Sequence, residues 1–190
     1  MKLEILKKSL KEAIIVKKNG YDYVIHPITD GIPEIKPELL EEVTFEMQKI
    51  LENCGLIDKL VTIEAMGIPL TTTLSLKMNI PFIIIRKRKY DLPDEIGVEQ
   101  KTGYSKSQLY INGLKRGDRI VIIDDVLSTG GTLKAVLNTL EKMGVIVRCV
   151  VIAVDKGKIA KKIMDETNVN IQSIIKIEVS NGKLIVKNNI

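Results

Sequence analysis

Apolar residues along this chain fall into short runs of two periodicities. Leu3, Leu6, Leu10, Ala13 and Ile14 share one helical face, so the spacing predicts a helix over residues 3–16. "YDYVIHPI" predicts a strand ended by Pro27, followed by a turn at "TDGIP". Residues 37–53 carry helical periodicity behind Pro37, a proline suited to a first helical turn. "KLVTIEA" and "PFIIIRK" predict strands on either side of a helix, "PLTTTLSLKM", opened by Pro69. "SQLYI", "DRIVIIDD" and "VIVRCVVIAVD" predict further strands. Between the last two lies the helix "GTLKAVLNTLEKMG", with a glycine stop at Gly144. A short helix over 158–166 precedes strands at 171–178 and 183–187, joined by the hairpin signal Asn181-Gly182.

Apolar runs of this kind belong to strands covered on both faces. Their alternation with helices predicts one α/β domain over residues 1–190, with a mostly parallel central sheet flanked by helices. Residues 87–103, "KRKYDLPDEIGVEQKTG", break the pattern: they are charged, contain Pro93 and two glycines, and hold no sustained period. A segment that long inside a compact domain reads as a lid.

Composition narrows the function classes. The longest apolar runs are far too short for a membrane span, and the N-terminus lacks the apolar core of a secretory signal. Cys54, Cys149 and the single His26 have no metal-ligand spacing. The two cysteines read as free thiols of a cytoplasmic chain, with no disulfide expected. The net charge of +5 suits a polyanion, but the lysines are scattered and aromatic content is only 4%. That combination favours a small phosphorylated ligand over a nucleic acid, which calls for stacking platforms.

The candidate chemistry is concentrated in "VIIDDVLSTGGT", residues 121–132. An apolar strand ends on Asp124 and Asp125, where ligands of parallel sheets bind. Ser128, Thr129, Gly130, Gly131 and Thr132 then lead into a helix N-terminus, whose amides and hydroxyls suit a phosphate. Two carboxylates cannot face that phosphate, so they address sugar hydroxyls or a magnesium ion. A ribose bearing a phosphate satisfies both halves. The alternative is a solvated Asp-Asp turn ahead of a Gly-Gly helix start.

This stretch resembles the phosphoribosyl pyrophosphate (PRPP) motif of the type I phosphoribosyltransferases. The resemblance implies that family's fold, with a small N-terminal hood at about 1–35 and a mobile catalytic loop at about 87–104. It implies catalytic roles for Asp124, Asp125, Arg86 and Lys87, with both aspartates on the ribose and Ser128 to Thr132 on the 5-phosphate. "TIEAMGIPL" resembles the pyrophosphate loop, which would place Glu64, Ala65, Met66 and Gly67 with Arg86, Lys87, Arg88 and Lys89 around the leaving group. A non-proline cis peptide is expected there, at Glu64–Ala65. The resemblance of "YVIHPITDGIP" to the family's hood implies that the purine is read largely by backbone groups at Val24 and His26, with the His26 ring a further candidate contact, joined by Val126 and Leu127 from the PRPP motif.

The pattern departs from the adenine branch in two places. Met66 stands where that branch has arginine, and Gln108 where it has glutamate; Tyr104, Lys106 and Leu109 match it. Ser128 occupies the position of an aspartate in mammalian-type hypoxanthine–guanine enzymes. The whole set of segments is similar to the archaeal hypoxanthine phosphoribosyltransferases. It implies a homodimer that uses PRPP, Mg²⁺ and hypoxanthine or guanine. Adenine as substrate, or a PRPP- or purine-sensing regulator without catalysis, are the competing readings.

Overall fold

The computed structural model describes residues 3–18, 20–99, 108–180 and 182–188. The chain begins with helix α1 (Glu4–Lys11), strands β1 (Ile14–Lys18) and β2 (Tyr21–Ile25), and the short helix α2 (Pro27–Asp30). Then come α3 (Pro37–Leu51), β3 (Lys59–Ile63), α4 (Gly67–Met78), β4 (Phe82–Ile85), β5 (Ile96–Glu99) and β6 (Gln108–Ile111). The remainder is β7 (Arg119–Leu127), α5 (Gly131–Met143), β8 (Ile146–Asp155), α6 (Ile159–Thr167), β9 (Ile171–Ser180) and β10 (Lys183–Asn188).

Six strands form the central sheet in the order β10-β9-β8-β7-β3-β4. All neighbours are parallel except β10, which turns back on β9 as the Asn181-Gly182 signal predicts. Alternation along β7 divides the core between two layers. Val121 and Ile123 face α3, α4 and the hood, while Ile120 and Ile122 face α5, α6 and the β5–β6 hairpin. All four are fully buried, as the unbroken apolar run requires.

Four local expectations change. The predicted helix over 3–16 ends at Lys11, and Ile14, Ile15 and Val16 instead pair with β2 as a hairpin. These β-branched residues lose side-chain freedom in a helix and pack well on a pleated strand. "TDGIP" is not wholly a turn, because Pro27–Asp30 forms α2 behind a His26 cap. The segment over 87–103 is not irregular throughout. Its residues Ile96–Glu99 form β5, paired antiparallel with β6. Cys54 and Cys149 are disulfide-bonded, contrary to the expectation of free thiols. The fold sets their Cα atoms 6.3 Å apart, within bonding range, by packing the chain after α3 against β8.

The hood is held to the main body by a carboxylate from α3. Glu42, 5% exposed, accepts the N–H groups of Ile5 at 3.2 Å and Leu6 at 2.7 Å, satisfying amides in the first turn of α1. Among the described residues, no helix is long and apolar enough to cross a membrane.

Candidate active site

Parallel strands β4, β3, β7 and β8 end along one edge of the sheet, and residues at or just beyond the ends of β3, β4 and β7, with Ile152 of β8, line a cleft of about 490 Å³. Its walls include Glu64 and Ala65 after β3, Lys87 after β4, Asp124 to Leu127 of β7, and Ser128, Thr129, Gly130 and Thr132 beyond it. Residues separated by sixty positions in sequence therefore meet at one sheet edge, as ligand sites of open α/β sheets do.

Asp125 is 7% exposed, and its N–H donates to Asp124 Oδ1 at 3.0 Å. Burial pushes both carboxyls up, and the Asp124 charge pushes Asp125 further. The hood carboxylate of Asp30 adds to the effect at Asp125. Hydroxyl donors or a cation in the cleft would favour the ionised pair. Among the described residues, no cluster of three or more His, Cys, Asp or Glu is placed to cage a metal by itself. Two acceptor-rich carboxylates at a cleft wall nevertheless fit a magnesium ion whose remaining ligands come from a phosphorylated substrate and water.

Beside this pair, α5 begins without a side-chain cap and without an acidic residue in its first turn. Its N-terminal amides and dipole thus favour an anion. Gly130 takes a left-handed conformation with φ of 73°. A β-carbon there would stand 2.5 Å from Ile163 Cδ1, so the loop packs on α6 through a residue that must be glycine. Gly131 faces open space.

Across the cleft, the Glu64–Ala65 peptide is cis, as expected. Glu64 accepts Arg86 Nε at 2.9 Å and the Lys87 N–H at 3.1 Å, and these donors hold its carboxyl below the usual range. Arg86 is thereby turned toward Glu64, while Lys87 lines the cleft. Arg86 and Arg88 flank the Tyr90 ring at 6.0 and 5.5 Å, and Lys89 pairs with Asp91 at 2.5 Å. Glu95 gathers the N–H groups of Tyr90 and Asp91 and the Asn112 amide, which folds this basic segment into an ordered turn. Met66 does not line the cleft: its Cε lies 3.4 Å from where a β-carbon on the hood's Gly31 would be.

Val126 and Leu127 line the cleft, whereas Val24 and His26 of the hood are not among its walls, and Val24 lines a neighbouring cavity. The His26 ring is 0% exposed, with Nδ1 accepting from the Ile28 N–H at 3.2 Å and Nε2 bonded to Ser9 Oγ at 2.9 Å. Its own N–H donates to Asp30 Oδ2, and its carbonyl accepts from Thr29 and Asp30. His26 therefore braces the hood. Leu109 reaches the cleft, and Gln108 accepts the Tyr110 hydroxyl at 2.9 Å. Tyr104 and Lys106, with the rest of the expected mobile loop beyond Glu99, lie outside the described residues.

Lys156, which the sequence pattern does not single out, lines with Val24 a neighbouring cavity of about 310 Å³. Its N–H donates to Leu127 O at 2.8 Å and its Nζ to Val24 O at 3.4 Å, bridging the PRPP-motif strand and the hood. No local pattern marks it, since its partner lies 132 positions away.

Comparison with known proteins identifies the family and the fold. The phosphoribosyl transferase domain family matches residues 34–183. The hypoxanthine/guanine phosphoribosyltransferase of Methanocella paludicola is 52% identical over 186 residues, covering 97% of this chain and 95% of that protein. The protein of the same name from Methanocaldococcus infernus is 49% identical over 187 residues, covering 98% of this chain and 100% of its own. In fold, the chain is similar to adenine phosphoribosyltransferase from Thermoanaerobacter pseudethanolicus. That crystal structure has a TM-score of 0.74 at 23% identity, covering 92% of this chain and 99% of its own. With the motif strand, the phosphate-type loop and the sheet order all in place, the chain belongs to the phosphoribosyltransferase family.

Proposed function

We propose that the protein is a hypoxanthine/guanine phosphoribosyltransferase, converting PRPP and a 6-oxopurine into the nucleoside monophosphate and pyrophosphate. The observation that carries the PRPP half is the pairing of Asp124 and Asp125 with the uncapped N-terminus of α5 across one cleft. The relatives at about half identity carry that name over nearly the whole chain.

In this reading the 5-phosphate lies on Ser128 to Thr132, and the ribose hydroxyls donate to Asp124 and Asp125. The pyrophosphate lies along Glu64 and Ala65 with Lys87, the residues of that loop and of the basic run that line the cleft. Arg86, bonded to Glu64 at 2.9 Å, adds its charge beside that anion, and Arg88 and Lys89 follow it on the ordered turn. The bond from the anomeric carbon to pyrophosphate breaks as the bond to the purine nitrogen forms, and that nitrogen's proton leaves to solvent. The anomeric carbon passes through an oxocarbenium-like state, so the cations act by stabilising the leaving charge and the cleft by excluding water. Asp124 and Asp125 would hold a magnesium ion at the cleft wall, and the ion would supply further neutralisation of the pyrophosphate charge.

The purine stacks over Val126 and Leu127 beneath the hood. Lys156 favours a 6-oxo group there. An ammonium is donor-only, so it complements a carbonyl oxygen and repels the donor edge of a 6-amino group. We further place the enzyme in the cytoplasm as a homodimer, which sedimentation at twice 21.3 kDa would support and a monomer would oppose. Initial rates of pyrophosphate release with PRPP and each purine in turn test the reaction itself. Turnover with hypoxanthine and guanine supports it, and turnover with adenine alone overturns it.

A further inference from the structure

Asp155 is a carboxylate at the end of an otherwise apolar strand. It closes β8 after six consecutive buried residues and is itself 1% exposed. A carboxyl so enclosed is retained against the cost of desolvation, and burial pushes its pKa up. Two groups compensate it. Oδ1 accepts the Gly157 N–H at 2.9 Å, and Oδ2 lies 3.9 Å from Nζ of Lys176, its register partner on β9. An apolar side chain would pack this layer as its neighbours do. What the carboxylate adds is a closed turn over residues 155–157.

That turn abuts the motif strand and the loop that follows it, and its Lys156 lines with Val24 a neighbouring cavity on the hood side. Asp155 pairs in register with Leu127, and the Lys156 N–H donates to Leu127 O at 2.8 Å. A β-carbon on Gly157 would stand 3.2 Å from Ser128 O, so the turn abuts the start of the phosphate-type loop. Between these anchors Lys156 leaves the main chain toward the hood and reaches Val24 O at 3.4 Å. The direction of its ammonium is thus set by the turn.

We propose that Asp155 is a positioning residue for base recognition: its buried carboxylate fixes the 155–157 turn so that Lys156 presents its ammonium to the 6-oxo edge of the purine. This rests on the 6-oxopurine reading above. Asp155 does not touch the substrate, so its loss weakens base binding while leaving the PRPP half of the cleft in place.

Steady-state kinetics with PRPP and hypoxanthine, on the full-length wild type and on D155A, D155L, D155N, K156M and D155A/K156M, test the role. D155L fills the same volume without an acceptor and serves if D155A does not fold. D155A or D155L is expected to raise KM for hypoxanthine about tenfold and to leave KM for PRPP within about twofold. D155N keeps an acceptor for the Gly157 N–H and should stay within about threefold of wild type. The double variant should be no worse than K156M, because both changes remove one contact. Equal rises in both KM values, unchanged KM for hypoxanthine in D155L, or losses that multiply in the double variant would each overturn the positioning role. A wild type that turns over neither hypoxanthine nor guanine would instead overturn the 6-oxopurine reading, and the role of Asp155 with it.

Discussion

Gly67 and Thr62 touch so closely that a β-carbon on Gly67 would lie 2.1 Å from the Thr62 hydroxyl oxygen. The same atom would stand 3.0 Å from Ile123 O and 3.1 Å from Asp124 Oδ1. The loop carrying Glu64 and Ala65 is therefore pressed against the strand carrying Asp124, and the glycine sets their spacing. G67A is expected to cost about 1–3 kcal/mol by overpacking and to lower kcat/KM for PRPP at least about tenfold. Chemical denaturation and initial rates check both. The Thr62 hydroxyl has no hydrogen-bond partner among the described residues. T62V should consequently leave stability unchanged or slightly raised, and a loss above about 1 kcal/mol would reveal a partner for that hydroxyl.

Glu42 ties α1 to α3 through two amides. Its removal leaves two donors of a helix start unsatisfied in a largely buried position. E42A should lower unfolding free energy by about 1–3 kcal/mol, with E42Q retaining most of it. Limited proteolysis should cut E42A first within the hood. Equal stability of E42A and wild type would show that the hood is held by apolar packing alone.

His26 makes hood stability depend on pH. Burial lowers its pKa from 6.5 to about 4, with Asp30 opposing and Lys156 reinforcing the shift. Between those values the unfolded chain binds a proton that the folded chain does not, so stability falls as pH falls from about 6.5 toward 4. From pH 7 to pH 5 this amounts to about 2 kcal/mol. Asn can cap α2 without titrating. The stability advantage of wild type over H26N, measured by denaturant titration, should therefore shrink by that amount across the interval. A constant advantage contradicts a buried neutral histidine.

Asp125 trades stability for chemistry. Its carboxyl is raised by burial and by Asp124, so above the unfolded carboxylate range the folded state holds the proton more tightly, and ionisation costs stability as pH rises. D125N removes that cost. At pH 7 it should melt higher than wild type while its turnover falls at least about a hundredfold. Near-normal turnover in D125N would remove Asp125 from the reaction.

The sheet was legible from sequence because its strands are continuous apolar runs with nowhere to go but the core, as Ile120 to Ile123 illustrate. The phosphate-type loop was legible because its chemistry is local, twelve residues carrying strand end, carboxylates and helix start. Ile14 to Val16 were misassigned because a helical period in the preceding residues runs on into them. Strand β5 was missed because "IGVE" is short and only Val98 among its described side chains is buried. Arg86 on Glu64, Glu42 on α1 and Lys156 on Val24 are contacts between distant segments, and no periodicity in the chain encodes them. The contacts of the buried His26 ring with Ser9 and Ile28 are likewise not marked by any period in the chain.

The central claim is that this cleft joins PRPP to a 6-oxopurine. It is tested most directly by one competition reaction containing PRPP, Mg²⁺ and equal hypoxanthine, guanine and adenine, with nucleotides separated by chromatography. The account predicts IMP and GMP with stoichiometric pyrophosphate, and AMP below about one-tenth of their sum. AMP as the main product, or no nucleotide from any base, would contradict it.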